Sequence, residues 1–355
     1  MRKLFIRCSI VFLWTGLIAC VLYLPSWKPE SPEKETLNIF AWGDILDSSV
    51  IASFEEETGI KVNLSHYFSN EELIVKLKAT GGIGYDLIIP SDYAVSILKN
   101  NDLIKKLDKT QFHYWQELNP ALVGHPYDEG NLYSIPWEWE LFGFGIDKDY
   151  FKDHPFDPSW KAIFDPNSVH YQITMTNDAI EAVEFAAFYL FGKNDSLSDL
   201  QLNEVKELLK LQRNWVTAYA NFRGDYFLAT KTCPLILASS SYIWRTMRQF
   251  DFVGYVVPKE GSFISIENFC IPKATQKDTL IYRFLNHIYT PESIATHYTS
   301  YGYFPSTLHA LSLLEADPQA ESYIRSTPEE FKKYHFLKRT AAQQTIRDLW
   351  VDVKS

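Results

Sequence analysis

Between Leu37 and Pro90 the chain alternates strand-forming and helix-forming segments in a strand, helix, strand, helix, strand order. Leu37 to Trp42 reads as a strand, and Ser48 or Ser49 caps a helix from Val50 to Glu57 that Gly59 stops. Lys61 to Leu64 forms the second strand. Ser69-Asn70-Glu71-Glu72 is a capping box that opens a helix ending at Gly81-Gly82. Tyr85 to Pro90 (YDLIIP) is a continuous apolar run between Gly and Pro, which suits a strand buried on both faces. Such an order means βαβ units and a parallel sheet flanked by helices. The pattern resumes later, with a strand at Tyr171 to Thr176, a helix at Ala179 to Phe191 and a longer helix at Asn203 to Tyr219. Short strands follow at Leu235 to Ala238 and Phe252 to Val257, then helices at Lys277 to Tyr289, Pro291 to Tyr298 and Pro328 to Tyr334. A length of 355 residues suits about two such α/β lobes.

The amino terminus sets the compartment. Arg2, Lys3 and Arg7 precede an apolar stretch from Ile10 to Leu24, and acidic residues begin only at Glu30. That is the layout of an export signal. Leu17-Ile18-Ala19-Cys20 adds a lipobox-like end, with Cys20 as the acylated residue. Leu4 to Leu24 is also long enough to cross a bilayer as an uncleaved anchor, and a plain cleaved signal fits too. All three readings place the folded part outside the cytoplasm, with 1–20 as the signal or lipoprotein-like segment and 21–36 as a Pro-rich tether. Of the later cysteines, Cys233 and Cys270 sit in apolar runs and read as buried small hydrophobes.

In parallel α/β folds, ligands bind at the carboxyl ends of strands and in the crevice between domains. The residues there repeat one combination, an aromatic ring beside a carboxylate. Trp42-Gly43-Asp44 follows the first strand, Ser91-Asp92-Tyr93 follows YDLIIP, and Trp137-Glu138-Trp139-Glu140 follows Tyr133 to Pro136. Asn177-Asp178-Ala179-Ile180-Glu181 follows the Tyr171 strand, Glu267 interrupts an apolar series, and Tyr303 follows Gly302. A carboxylate restores the hydrogen bonds that a buried ammonium loses, and a ring face adds cation–π attraction and covers methylenes. Rings with carboxylates at intervals therefore complement a linear polyamine. Each residue also has a structural reading: Asp178 and Glu181 as a capping box, Asp92 as a helix cap, Trp137 and Trp139 as core packing, Tyr303 as part of a turn. With 44 acidic against 34 basic residues, the chain lacks the basic face that nucleic acid requires. No GxSxG, HExxH or phosphate-binding loop is present.

Several ordered blocks resemble one family. LNIFAWGDILDSSVIASFEEETGIKVNLSHYFSNEELIVKLKATGGIGYDLIIPSDYAV, YSIPWEWELFGFGID, ITMTNDAIEAVEFA, VVPKEGSFISIENFCIP and YGYFPS resemble, in that order, segments of the spermidine/putrescine-binding proteins of bacterial ABC importers. The resemblance runs from about Leu37 to Ser306. It implies the two-lobed type II periplasmic-binding-protein fold, each lobe a mainly parallel sheet flanked by helices, with the ligand in the cleft. It further implies lobes of 37–140 plus 269–314 and of 141–268 plus 315–355, and a monomer that delivers its ligand to a membrane permease. No cofactor, metal or catalytic residue is implied.

Carried over by block, Trp42, Tyr93 and Tyr303 are similar to family cleft rings. Asp178 and Glu181 match the acidic pair that receives one end of the amine; Glu267 and Asp44 stand at acidic positions, and Ser91 at a serine. Gly43, Asp92, Trp137, Trp139 and Ser265 are further cleft candidates. Three family rings are absent, at Ile45, at Ser265 and within Leu235 to Ala238, and Trp137, Trp139 and Phe263 are the candidates to replace them. Two other readings remain open: the same fold binding another cation such as ferric iron or thiamine, and a hydrolase using Asp178 and Glu181.

Overall fold

Asp47, one residue ahead of the expected serines, starts the first helix. In the computed structural model, which describes residues 13–16, 18, 35–192, 196–220 and 224–355, its Oδ1 accepts the Ser49 N–H at 2.8 Å and the Val50 N–H at 3.4 Å. The helix Ser48–Thr58 ends at Gly59, whose φ of 73° is left-handed. Its neighbour Asn70–Thr80 is capped by Ser69, which accepts the Glu72 N–H at 3.1 Å. The box is not closed in the usual way, because the Glu72 carboxylate accepts the Phe68 N–H instead. Cys20 and the tether lie outside the described residues, and no described helix is long and apolar enough to cross a membrane.

These helices flank a sheet in which β1 (Thr36–Ala41) pairs in parallel with β2 (Lys61–His66) and β3 (Leu87–Ile88). Beyond β3 come β9 (Ser262–Cys270), antiparallel to β3, and β4 (Ser134–Asp147), antiparallel to β9. β7 (Leu235–Ser239), β5 (Ile173–Met175) and β6 (Val216–Tyr219) complete the order β2-β1-β3-β9-β4-β7-β5-β6. β8 (Val253–Val256) and β10 (Phe304–Pro305) pair with β4, and β11 (Tyr334–Phe336) pairs with β9.

The central strand β4 is 14 residues long and belongs to both lobes. Ser134 to Leu141 pairs with β9, whereas Phe142 to Ile146 pairs with β7. Its aromatic neighbours anchor each side. Trp139 is fully buried against Phe304 and Phe331 in one core. Phe144 packs on Trp160 in the other, where Trp160, Phe185 and Phe263 lie 5.0–6.3 Å apart. Cys233 and Cys270 are free and buried.

Two helices are shorter than expected. The Asn203 to Tyr219 segment is a helix only over Asp199–Gln212, followed by a 3-10 turn and by β6. Val216-Thr217-Ala218-Tyr219 carries β-branched and aromatic side chains, and pairing with β5 satisfies its backbone. The helix at Pro328 likewise stops at Phe331, because Tyr334 joins β9 as β11.

Gly302 ends the helix Pro291–Tyr301 with φ 77° and aims the next residue, Tyr303, toward the cleft. A Cβ there would lie 2.7 Å from the Ser241 carbonyl oxygen. Gly302→Ala is expected to lower unfolding free energy by about 1–3 kcal/mol, from left-handed strain and the backbone clash. Chemical denaturation checks this; an unchanged midpoint would show that the neighbouring backbone yields without cost.

Candidate functional site

Each parallel strand ends at the same crevice, and the residues just beyond it converge. Trp42 directly follows β1. Ser91, the residue before the helix Asp92–Asn100, follows β3. Asp178 caps the helix Ala179–Phe191 after β5. All three line one cavity of about 320 Å³ between the lobes. Asp44, Tyr93, Glu181, Glu267 and Tyr303 line it as well, with Gly43, Asp92 and Ser265 beside them. Gly43 and Asp44 are exposed at the rim, where Asp44 takes a left-handed φ of 59°.

Glu267 is the best-held carboxylate in the cavity. Its Oε1 accepts from Ser91 Oγ at 2.6 Å and Ser265 Oγ at 2.9 Å, and its Oε2 accepts from Trp42 Nε1 at 3.0 Å. Burial pushes its carboxyl up to about 8, against those hydrogen bonds and with help from the fields of Asp92 and Glu140. Asp92 is not the expected cap. It is fully buried, receives the Ile266 N–H at 3.0 Å and the Tyr93 N–H at 2.6 Å, and is pushed up to about 7 by burial.

At the other end, Asp178 does cap its helix, accepting the Ile180 and Glu181 N–H groups through Oδ1. Glu181 accepts from Thr176 Oγ1, and burial followed by the Asp178 charge holds its carboxyl well above the usual range. The capping and cleft readings of Asp178 coexist, since the second carboxylate oxygen has no part in the cap.

Trp137 and Trp139 do not line the cavity. They lie inside β4, not beyond a strand end, and the period of two turns both rings into the core. Trp137 donates Nε1–H to Ile45 O at 3.0 Å and packs on Phe269 and Tyr289. Phe263 is also core. The alternate side chains, Glu138 and Glu140, face the cavity instead; the sequence places their block at a strand exit, but only its tryptophans stand among the cleft candidates. Their signal was the alternation of WEWE itself. Glu138 meets His297 as a hydrogen-bonded pair; burial raises the acid and lowers the imidazole, opposing the charged form of each. Glu140 accepts from Ser241 Oγ at 2.7 Å.

Rings beyond Trp42, Tyr93 and Tyr303 come from Tyr67, Phe68, Phe142 and Tyr242. Trp42 and Tyr67 lie 4.7 Å apart. Tyr242 sits in the helix Ser240–Met247 that follows β7, so the strand-exit rule applied to β7 would have found it. At the three positions where the family rings are absent, Ile45, Ser265 and the pair Leu237–Ala238 form wall.

In all, eight carboxyl side chains line this cavity: Asp44, Glu71, Asp92, Glu138, Glu140, Asp178, Glu181 and Glu267. Among the described residues no lysine or arginine lines it, and the only salt-bridge contact of the eight is that of Glu138 with His297. Five of them, Asp92, Glu138, Glu140, Glu181 and Glu267, are held above the usual carboxyl range, in each case chiefly by burial.

Two α/β lobes sharing crossing strands, with a ligand-sized cleft between them, make up a type II periplasmic substrate-binding fold. The chain belongs to the bacterial extracellular solute-binding protein family, which it matches over residues 49–323. It is 26% identical over 333 residues to the spermidine/putrescine-binding periplasmic protein of Escherichia coli, covering 93% of this chain and 94% of that one. It is 26% identical over 351 residues to the putrescine-binding periplasmic protein SpuD of Pseudomonas aeruginosa, covering 92% and 94%. Among solved structures, a putative spermidine/putrescine ABC transporter protein from Listeria monocytogenes superimposes with a TM-score of 0.78 at 27% identity, over 90% of this chain and 99% of that one.

Proposed function

We propose that this protein captures a linear polyamine between its lobes, outside the cytoplasm, and delivers it to an ABC import permease. The observation that carries this reading is the set of carboxylates among rings, with no basic side chain lining the cavity among the described residues. Ammonium groups replace the protons of Glu267 and its neighbours, while Trp42, Tyr93, Tyr242 and Tyr303 cover the methylenes. Bound amine then shifts the population toward a closed form that the permease recognises. The similarity to periplasmic spermidine/putrescine-binding relatives supports the same reading. The lobes are taken as 37–140 with 269–314 and 141–268 with 315–355, the protein acts as a monomer, and Cys20 is the acylated anchor that ties it to a membrane.

Iron(III), the second cation considered, needs several hard ligands converging on one point. No group of three or more His, Cys, Asp or Glu among the described residues is placed to hold a metal ion. The test is calorimetric titration of the full-length chain in mild detergent with putrescine, cadaverine, spermidine and spermine, then with ferric citrate and thiamine. Saturable binding of at least one polyamine is expected. Silence toward all four, with a strong iron or thiamine signal, overturns the proposal. Incorporation of labelled palmitate that is lost in Cys20→Ser checks the anchor.

A further inference from the structure

The strand order arranges the cleft carboxylates in a row. Glu267 stands on β9, Glu138 and Glu140 on the adjacent β4, and Asp178 and Glu181 follow β5, two strands further on across β7. With strands about 4.8 Å apart, the ends of this row are roughly 14 Å apart at the backbone, and the side chains reach inward from both. Glu140 lies inside that span. It occupies the point where β4 leaves β9 and takes up β7, opposite Ser265 in the β9 register. Its field acts on Glu267 at one end and on Glu181 at the other.

A zigzag chain advances about 1.25 Å per bond, so a four-carbon diamine spans only about 6 Å between nitrogens. A triamine with three- and four-carbon arms spans about 11 Å. The first satisfies one end of the row or the other, and the second reaches both and carries an inner nitrogen past the middle. There the carboxylate of Glu140 is held by Ser241, and its neighbour Glu138 is 1% exposed with Oε1 free of any hydrogen bond. Arg245 is a cation whose field reaches Glu140, but it stacks over Tyr242 at 4.7 Å and does not line the cavity.

We propose that Glu140 receives an inner secondary ammonium, so that the cleft selects amines with three or more nitrogens over diamines. This deepens the polyamine reading and rests on it. The test compares spermidine with 1,8-diaminooctane, in which a methylene replaces the inner nitrogen at equal length. By calorimetry, the wild-type full-length chain is expected to favour spermidine by about tenfold or more, the range of a close charge pair. Glu140→Gln is expected to abolish that preference, lowering spermidine affinity by about tenfold more than putrescine affinity. Glu140→Asp restores part of the preference, and thermal unfolding reports whether each variant is folded. Should Glu140→Gln not fold, Ser241→Ala frees the carboxylate from its anchor and is expected to reduce the preference alone. Equal wild-type affinity for spermidine and diaminooctane, or equal losses for spermidine and putrescine in Glu140→Gln, overturns the role of Glu140 and leaves the polyamine reading standing. Absence of any amine binding to the wild type removes both.

Discussion

Glu267→Gln is expected to weaken binding of the preferred amine by about two orders of magnitude or more. The carboxylate is already desolvated and aimed, because Ser91, Ser265 and Trp42 fix both oxygens before any ligand arrives. Little ordering remains to oppose the charge-assisted bond, so most of that bond is realised as affinity. Truncating one member of a buried, hydrogen-bonded charge pair costs about 2–5 kcal/mol, and about 3 kcal/mol is a hundredfold in Kd. The amide side chain keeps the volume, but its NH2 group cannot accept from the donors that Glu267 now satisfies, so the serine hydroxyls must turn, which adds to the loss. Calorimetry on wild type and variant checks this. Affinities within about threefold would show that Glu267 is an architectural residue joining β1, β3 and β9, and that the amine is held elsewhere.

Raising the pH from 6 to 8.5 is expected to tighten amine binding by about ten- to a hundredfold. The carboxyls of the empty cavity are held high, Glu267 to about 8 and Asp92 to about 7, both chiefly by burial. Below those values a proton must leave before a carboxylate can meet an ammonium, costing up to a factor of ten per pH unit and per group. Terminal aliphatic ammoniums of pKa about 10 stay charged throughout, whereas flanking charges lower an inner nitrogen, so a diamine is the ligand for this titration. Titrations in buffers of different ionisation enthalpy should show proton release near pH 7. For the empty protein the sign is opposite. Groups whose folded values lie above their unfolded ones stabilise below the unfolded range, near 4, and lose that contribution as pH rises toward 8. Affinity that is flat or falls with pH would mean that these carboxyls are already ionised when empty.

The strand exits were legible because a parallel sheet requires its loops to meet at one edge, and Trp42, Ser91 and Asp178 meet there. Where the reading failed, tertiary contact decided. Trp137 to Glu140 reads as a loop because Pro136 looks like the end of a strand, yet β4 continues to Asp147 with a register shift between Pro136 and Glu138. The shift absorbs the proline, whose missing N–H is tolerated at an irregularity. Val216 to Tyr219 reads as more helix for want of a breaker, and pairing with β5 outweighs helix propensity there. Ser48 and Ser49 are good capping residues, but Asp47 brings a charged acceptor to the N–H groups of Ser49 and Val50 and also accepts the Ser49 hydroxyl. Placing Glu138 and Glu140 requires knowing which face of β4 looks into the cleft, and that depends on β9 and β7, both far away in the chain.

Because β4 carries tryptophans on one side and acids on the other, this stretch tolerates changes of residue far better than changes of length. Removing a single position between Trp137 and Glu140 would rotate everything on one flank by half a turn of the pleat, exchanging indole for carboxylate on both sides at once. Relatives that bind differently charged solutes are therefore reachable from this scaffold by point replacement along the strand, whereas insertions and deletions are confined to the loops that surround it.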